Sequence, residues 1–161
     1  MKILKSTVFM LLLLAMMFVV QEQQRLIVPV SLQNYNLTLK KLQTLGIDSK
    51  EIARSIDLAS QQSGISQSFL IALMYTESTG NPKAVSSLNY NGLMQIPWPV
   101  YYADANMLIG AHIFNEKMRI ANRNVEKAIL LYKGYPIGSE RGLQQVRKVL
   151  KLYDKLSEVS V

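Results

Sequence analysis

The sequence predicts a mainly α domain with a small β element in its middle, carried behind an N-terminal membrane helix. Three observations predict this. Residues 3–20 form an apolar run interrupted by one charge, Lys5. Beyond it, apolar residues recur at helical spacing in several segments, each bounded by Ser, Asp, Asn, Gly or Pro. Between two of these segments lies a loop containing Asn91-Gly92, a strong tight-turn signal.

The N-terminus begins with Lys2 and Lys5, followed by an uncharged run over residues 6–20. A cleaved signal peptide has the same basic start and apolar run, but it also needs small residues at the cleavage site. Here the run ends in Phe18, Val19 and Val20, followed by Gln21 and Glu22. The expectation is therefore an uncleaved signal-anchor over residues 1–20. A spanning helix wants about 20 apolar residues, and residues 3–20 come near this if Lys5 snorkels toward the head groups. The Lys2 and Lys5 charges put the N-terminus inside and the domain on the cell-wall side. A virion membrane is an equivalent setting.

Residues 21–46 read as a connector, polar at its start, interrupted by Pro29 and carrying a short amphipathic helix through Leu37, Leu39, Leu42 and Leu45 that Gly46 ends. The domain proper is expected over residues 47–161. Asp48 or Ser49 caps a helix containing Ile52, Ile56 and Ala59, which Gly64 terminates. Ser66 caps the next helix, with Phe69, Leu70, Leu73 and Met74 at helical spacing, and Gly80-Asn81-Pro82 stops it. A β-hairpin is expected around residues 88–96. Pro97, Trp98 and Pro99 cannot be helix interior. Long helices then follow over about 105–122 and 124–133. A last helix starts at Ser139 and runs to about Leu156.

Composition excludes several chemistries. The 161 residues suffice for one compact domain plus an appendage, and at 49% apolar and 18% charged the chain is not of disordered type. With no cysteine there is no disulfide framework, thiol nucleophile or thiolate metal site. His112 is the one histidine, so no metal site built on several histidines is available, and neither a metal nor a cofactor is expected. The net charge is +7, and residues 116–155 hold ten Lys or Arg against four acids. A solvated helical face explains most of them. Attraction to a polyanion is the functional alternative.

Glu77 stands out on physical grounds. It lies near the end of an otherwise apolar helix, where a residue normally faces the core, and charged groups are rarely buried without a partner. A carboxyl in a partly apolar cleft can hold its proton and act as a general acid. A solvated Glu in the last helical turn is the plainer alternative.

The run Glu77-Ser78, Gly80-Asn81-Pro82 and Ala84-Val85-Ser86, followed by Gly92-Leu93-Met94-Gln95-Ile96, resembles the signature of the lytic transglycosylases related to the soluble lytic murein transglycosylase. Upstream, Gly64-Ile65 and Leu70-Ile71-Ala72-Leu73 fit the same pattern. Downstream, Asn106, Gly110 and Ala111 resemble its N-x-x-x-G-A helix, and the segment from Ala128 through Tyr132 to Gly134 resembles its A-x-x-x-Y-N-x-G segment. The similarity runs in order over residues 52–153.

The resemblance implies a mainly α, lysozyme-like fold of α+β character, with goose-type lysozyme as hydrolytic relative. It implies that Glu77 is the single catalytic acid/base, with Ser78 beside it. It implies that Gly92, Leu93, Met94 and Gln95 line the sugar cleft and that Tyr132 faces the catalytic carboxyl, its hydroxyl available to orient Glu77. The substrate implied is the glycan strand of peptidoglycan, cut between N-acetylmuramic acid and N-acetylglucosamine with a 1,6-anhydromuramoyl product. Trp98, with Tyr101 and Tyr102, offers sugar-stacking faces, ordinary packing being the alternative.

Two departures from the family pattern bear on this. Lys133 stands where the family has Asn, and its charge would weaken the acid if it lies close to Glu77. The stretch between Ile96 and the N-x-x-x-G-A helix is short, which leaves a more open cleft. Asp104 is the only acid between Glu77 and Glu116. It reads as a helix cap, or as a second carboxyl if the enzyme is hydrolytic. His112 reads as a packing or surface residue. The competing functions are a lysozyme-type hydrolase and a non-catalytic glycan-binding assembly protein. A nucleic-acid-binding protein rests on charge alone, and no nucleic acid partner is expected. A secretion machine or a virion assembly is the partner class that fits a small anchored enzyme of this kind.

Overall fold

The computed structural model describes residues 32–160. The expected membrane helix lies outside them. Among the described residues no helix is long and apolar enough to cross a membrane. Six α-helices are described: α1 (Leu32–Gln43), α2 (Lys50–Ser63), α3 (Gln67–Ser78), α4 (Ala103–Ile120), α5 (Val125–Tyr132) and α6 (Glu140–Ser157).

Four of the six helices start on a side chain that accepts from an orphan backbone N–H. Ser49, Ser66, Asn124 and Ser139 accept from the amides of Ile52, Phe69, Lys127 and Gly142. Helix α4 departs from this scheme. It begins after Tyr102, without a side-chain cap. Asp104 is not the cap expected of it. It sits inside the first turn and accepts from the Ser55 hydroxyl on α2 at 2.5 Å, which ties the start of α4 to its main packing partner.

Helix α3 is the centre of the fold. Its residues from Ser68 to Met74 are all buried. A helix apolar on every face is stable only inside a shell of other elements, and here α1, α2 and α6 supply it. The Phe69 ring packs on Phe114 of α4 and Tyr153 of α6, with centroids 4.8 and 5.8 Å away. Helix α1, in the stretch read as connector, packs against α2 and α3 and buries Thr38 and Leu42 there. The buried run of α3 ends at Met74. Its last turn carries Glu77, which is only partly covered, and Thr79 closes it in the left-handed region at φ 53°.

The hairpin expected over residues 88–96 is not formed. Asn91 makes isolated antiparallel bridges to both Val85 and Ile96, and no strand is described. The reason is local. Asn89, Gly92 and Gln95 take positive φ values of 60°, 77° and 48°, which break the extended backbone a ladder needs. Leu93, Met94 and Ile96 are all buried, so the segment lacks the in-and-out alternation of a strand.

Candidate active site

The loop over residues 91–96 is seated on α4 by one buried side chain. Asn106 accepts from the Met94 amide at 2.8 Å and donates to the carbonyls of Asn91 and Val100, each at 3.0 Å. Two glycines make this approach possible. A Cβ on Gly92 would lie 2.2 Å from the Asn106 side chain, and one on Gly110 would lie 2.4 Å from Met94. Gln95 secures the loop from the other side, its amide donating to the carbonyls of Ala84 and Gly92.

A cleft of about 790 Å³ opens beside this loop. Glu77, at the end of α3, lies on its wall. Leu88, Tyr90, Gln95, Pro97 and Trp98 come from the long connection between α3 and α4. Helix α4 contributes Ile109, His112, Ile113, Glu116 and Lys117, while Leu131, Tyr132, Lys133 and Gly134 come from the end of α5. Glu77 is in the only α3 turn that reaches this space, because the preceding turns are consumed by the core.

Of the residues singled out by sequence, Glu77, Gln95, Trp98 and Tyr132 border the cleft. Ser78, Gly92, Leu93 and Met94 are buried and do not border it. The Ser78 hydroxyl donates to the Met74 carbonyl and accepts from the Gly80 amide, which closes the helix end next to Glu77. Leu93 and Met94 are core residues that fix the loop by packing. Trp98 is 54% exposed, so its ring is free for contact rather than engaged in the core. Tyr101 and Tyr102 are exposed as well and lie outside the cleft lining.

Tyr132 does not orient Glu77 through a hydrogen bond. Its hydroxyl donates to the Met94 carbonyl at 2.8 Å. A phenol has one proton to give, and the loop takes it. Burial, and behind it the negative charge of Glu77, push the Tyr132 hydroxyl well above its ordinary value, so it remains a donor. The partner of Glu77 is Lys133. Its Nζ lies 2.6 Å from Oε1, with the Lys side chain 6% and the Glu side chain 15% exposed. Lys133 also donates to the Thr76 carbonyl at 3.4 Å, one of the orphan carbonyls at the end of α3.

Glu116 is the other carboxylate on the cleft, and both its oxygens accept from Arg119, at 2.7 and 2.9 Å. The α4 contribution to the cleft escaped the sequence reading. Ile109, His112, Ile113, Glu116 and Lys117 follow i, i+3, i+4, i+7, i+8 spacing, the signal of one helix face. Met107, Gly110, Ala111 and Phe114, the buried face, mask it in a scan for apolar residues.

Comparison with known families gives a match to the transglycosylase SLT domain over residues 54–99. The matched stretch begins within α2, contains all of α3 with Glu77, and ends after the loop that carries Gly92 to Ile96. Neither a curated protein nor a solved structure matches the chain. A domain of this family points to lytic transglycosylase action on peptidoglycan. The motif around Glu77 and the glycine-led loop thus both lie within the stretch, residues 54–99, that is similar to the transglycosylase SLT domain.

Proposed function

We propose that the protein is a peptidoglycan lytic transglycosylase that cuts the β-1,4 bond between N-acetylmuramic acid and N-acetylglucosamine, with Glu77 as its single acid/base. The observation that carries this reading is the position of Glu77. It is the one carboxyl that ends the buried helix of the matched domain and borders the cleft. Most glycosidases use two carboxyl groups, one as acid and one as nucleophile or base. Glu116 is a poor second candidate because Arg119 engages both its oxygens.

The chemistry then proceeds with one group. The protonated Glu77 gives its proton to the glycosidic oxygen as the bond from that oxygen to C1 of the muramoyl residue breaks. The carboxylate left behind takes the proton of the same sugar's C6 hydroxyl. That oxygen bonds to C1 and closes the 1,6-anhydro ring. Glu77 ends the cycle protonated, as it began, and no water is consumed. Trp98 and Gln95 border the cleft; Trp98 supplies a stacking face, and Gln95, whose NH2 is held by the loop, supplies its side-chain oxygen as an acceptor for a sugar hydroxyl.

The test is mass spectrometry of muropeptides released from purified peptidoglycan by the full chain. Anhydromuramoyl ends are expected. Reducing ends would assign the lysozyme-type hydrolase instead, and glycan binding without release would assign an assembly protein. We further infer from the apolar run over residues 3–20 that the chain is held in a membrane, cellular or virion, with this domain on the wall side. The expected result is membrane fractionation with the original N-terminus retained. A mature terminus within residues 15–32 contradicts it.

A further inference from the structure

Lys133 directly follows α5, and the structure brings that lysine onto the carboxyl proposed to do the chemistry. The Nζ–Oε1 contact is 2.6 Å, and both side chains are largely covered. Solvent screens such a pair weakly. Other titratable groups border the cleft around Glu77: Tyr90 from the connection, His112, Glu116 and Lys117 from α4, and Tyr132 from α5. Among the described residues none of these hydrogen-bonds Glu77. Tyr132 gives its proton to Met94, and Glu116 is engaged by Arg119. Oε1 is taken by Lys133, and among the described residues no hydrogen bond engages Oε2.

We propose that Lys133 is a positioning residue for Glu77, holding Oε1 so that Oε2 serves the substrate. This rests on the reading of Glu77 as acid/base. A carboxyl held at one oxygen presents the other in a fixed position to the glycosidic oxygen and to the C6 hydroxyl, so Lys133 acts on turnover rather than on substrate binding. A merely structural Lys133 would cap the α3 carbonyl of Thr76 and leave kcat of the folded protein alone.

The experiment compares wild type, K133Q and K133R in the full chain. Gln keeps a donor and loses the charge, whereas Arg keeps the charge. Values of kcat and KM for release of anhydromuropeptides are measured separately, with thermal unfolding as the folding control. With the charged contact to Oε1 gone, folded K133Q should lose about tenfold or more in kcat while KM stays near wild type. K133R, which keeps the charged donor, should recover most of the loss. Folded K133Q with wild-type kcat overturns the proposal. If wild type itself releases no anhydromuropeptides, the assignment of Glu77 as acid/base fails, and the proposal falls with it for that separate reason.

Discussion

At Glu77 a charge is brought to the end of an apolar helix and paired there with Lys133 at 2.6 Å. The sequence marks the carboxyl because a core helix rarely ends in an unpartnered charge. It also marks Lys133 as a departure from the family pattern. What it does not reveal is where the Tyr132 hydroxyl points. That depends on the distance between the end of α5 and the loop over residues 91–96, which no local pattern encodes. Because the hydroxyl donates to the Met94 carbonyl, Tyr132→Phe should lower stability by about 0.5–1.5 kcal/mol through a lost hydrogen bond. Urea unfolding measures this. Unchanged stability would show that the bond to Met94 contributes nothing.

At the scale of elements, the helix starts were legible because capping is local. Ser49, Ser66 and Ser139 stand immediately before their helices in the sequence and act as caps in the structure. The loop over residues 84–96 was not legible in the same way. Asn91-Gly92 promises a hairpin, but the segment is organised by Asn106, ten or more positions away, and by positive φ at three residues. Its shape is a tertiary effect. Asn106→Ala should therefore be costly. It leaves the buried Met94 amide unpaired and removes two further bonds, a loss of about 2–4 kcal/mol. The same substitution should depress glycan release in the folded fraction, since Gln95 rides on this loop. A mutant as stable as wild type in thermal unfolding would remove Asn106 from its role as the staple.

At the scale of the whole molecule, the cleft and the buried polar contacts of α1 lie on different parts of the α3 shell. Asp57 of α2 is fully buried and accepts from Thr38 of α1 and Gln67 of α3, while its Oδ2 has no partner. Burial raises its proton affinity above the ordinary value of 3.8, against the lowering effect of the Thr38 and Gln67 bonds. Lys41 of α1, bonded to Ser68, is shifted down by burial. The sign of the Asp57 effect follows from linkage. A raised folded-state value means that its favourable contribution is fully present below pH 3.8 and is lost as pH rises through the folded value. Lys41 acts in the opposite sense at the alkaline end, contributing above 10.5 and losing that contribution as pH falls through its lowered value. Asp57→Asn should accordingly flatten the loss of stability between about pH 4 and pH 7, read from urea unfolding at both values. An unaltered slope would mean that Asp57 does not titrate differently in the folded state.

All three scales converge on one carboxyl. The α3 shell buries the helix that carries Glu77, the Asn106-held loop shapes the cleft beside it, and Lys133 holds one of its oxygens. Glu77→Gln is nearly isosteric, so the fold should survive, with circular dichroism as control. Gln can neither give a proton to the glycosidic oxygen nor take one from the C6 hydroxyl. General acid/base assistance is worth about 10²–10⁴-fold, and with one residue in both roles the loss should lie at the upper end or beyond. The decisive measurement is the rate at which the folded mutant releases anhydromuropeptides from purified peptidoglycan. The account predicts that release is abolished while binding to the glycan persists. Release by the folded mutant at near wild-type rate would contradict it and make Glu77 a structural residue.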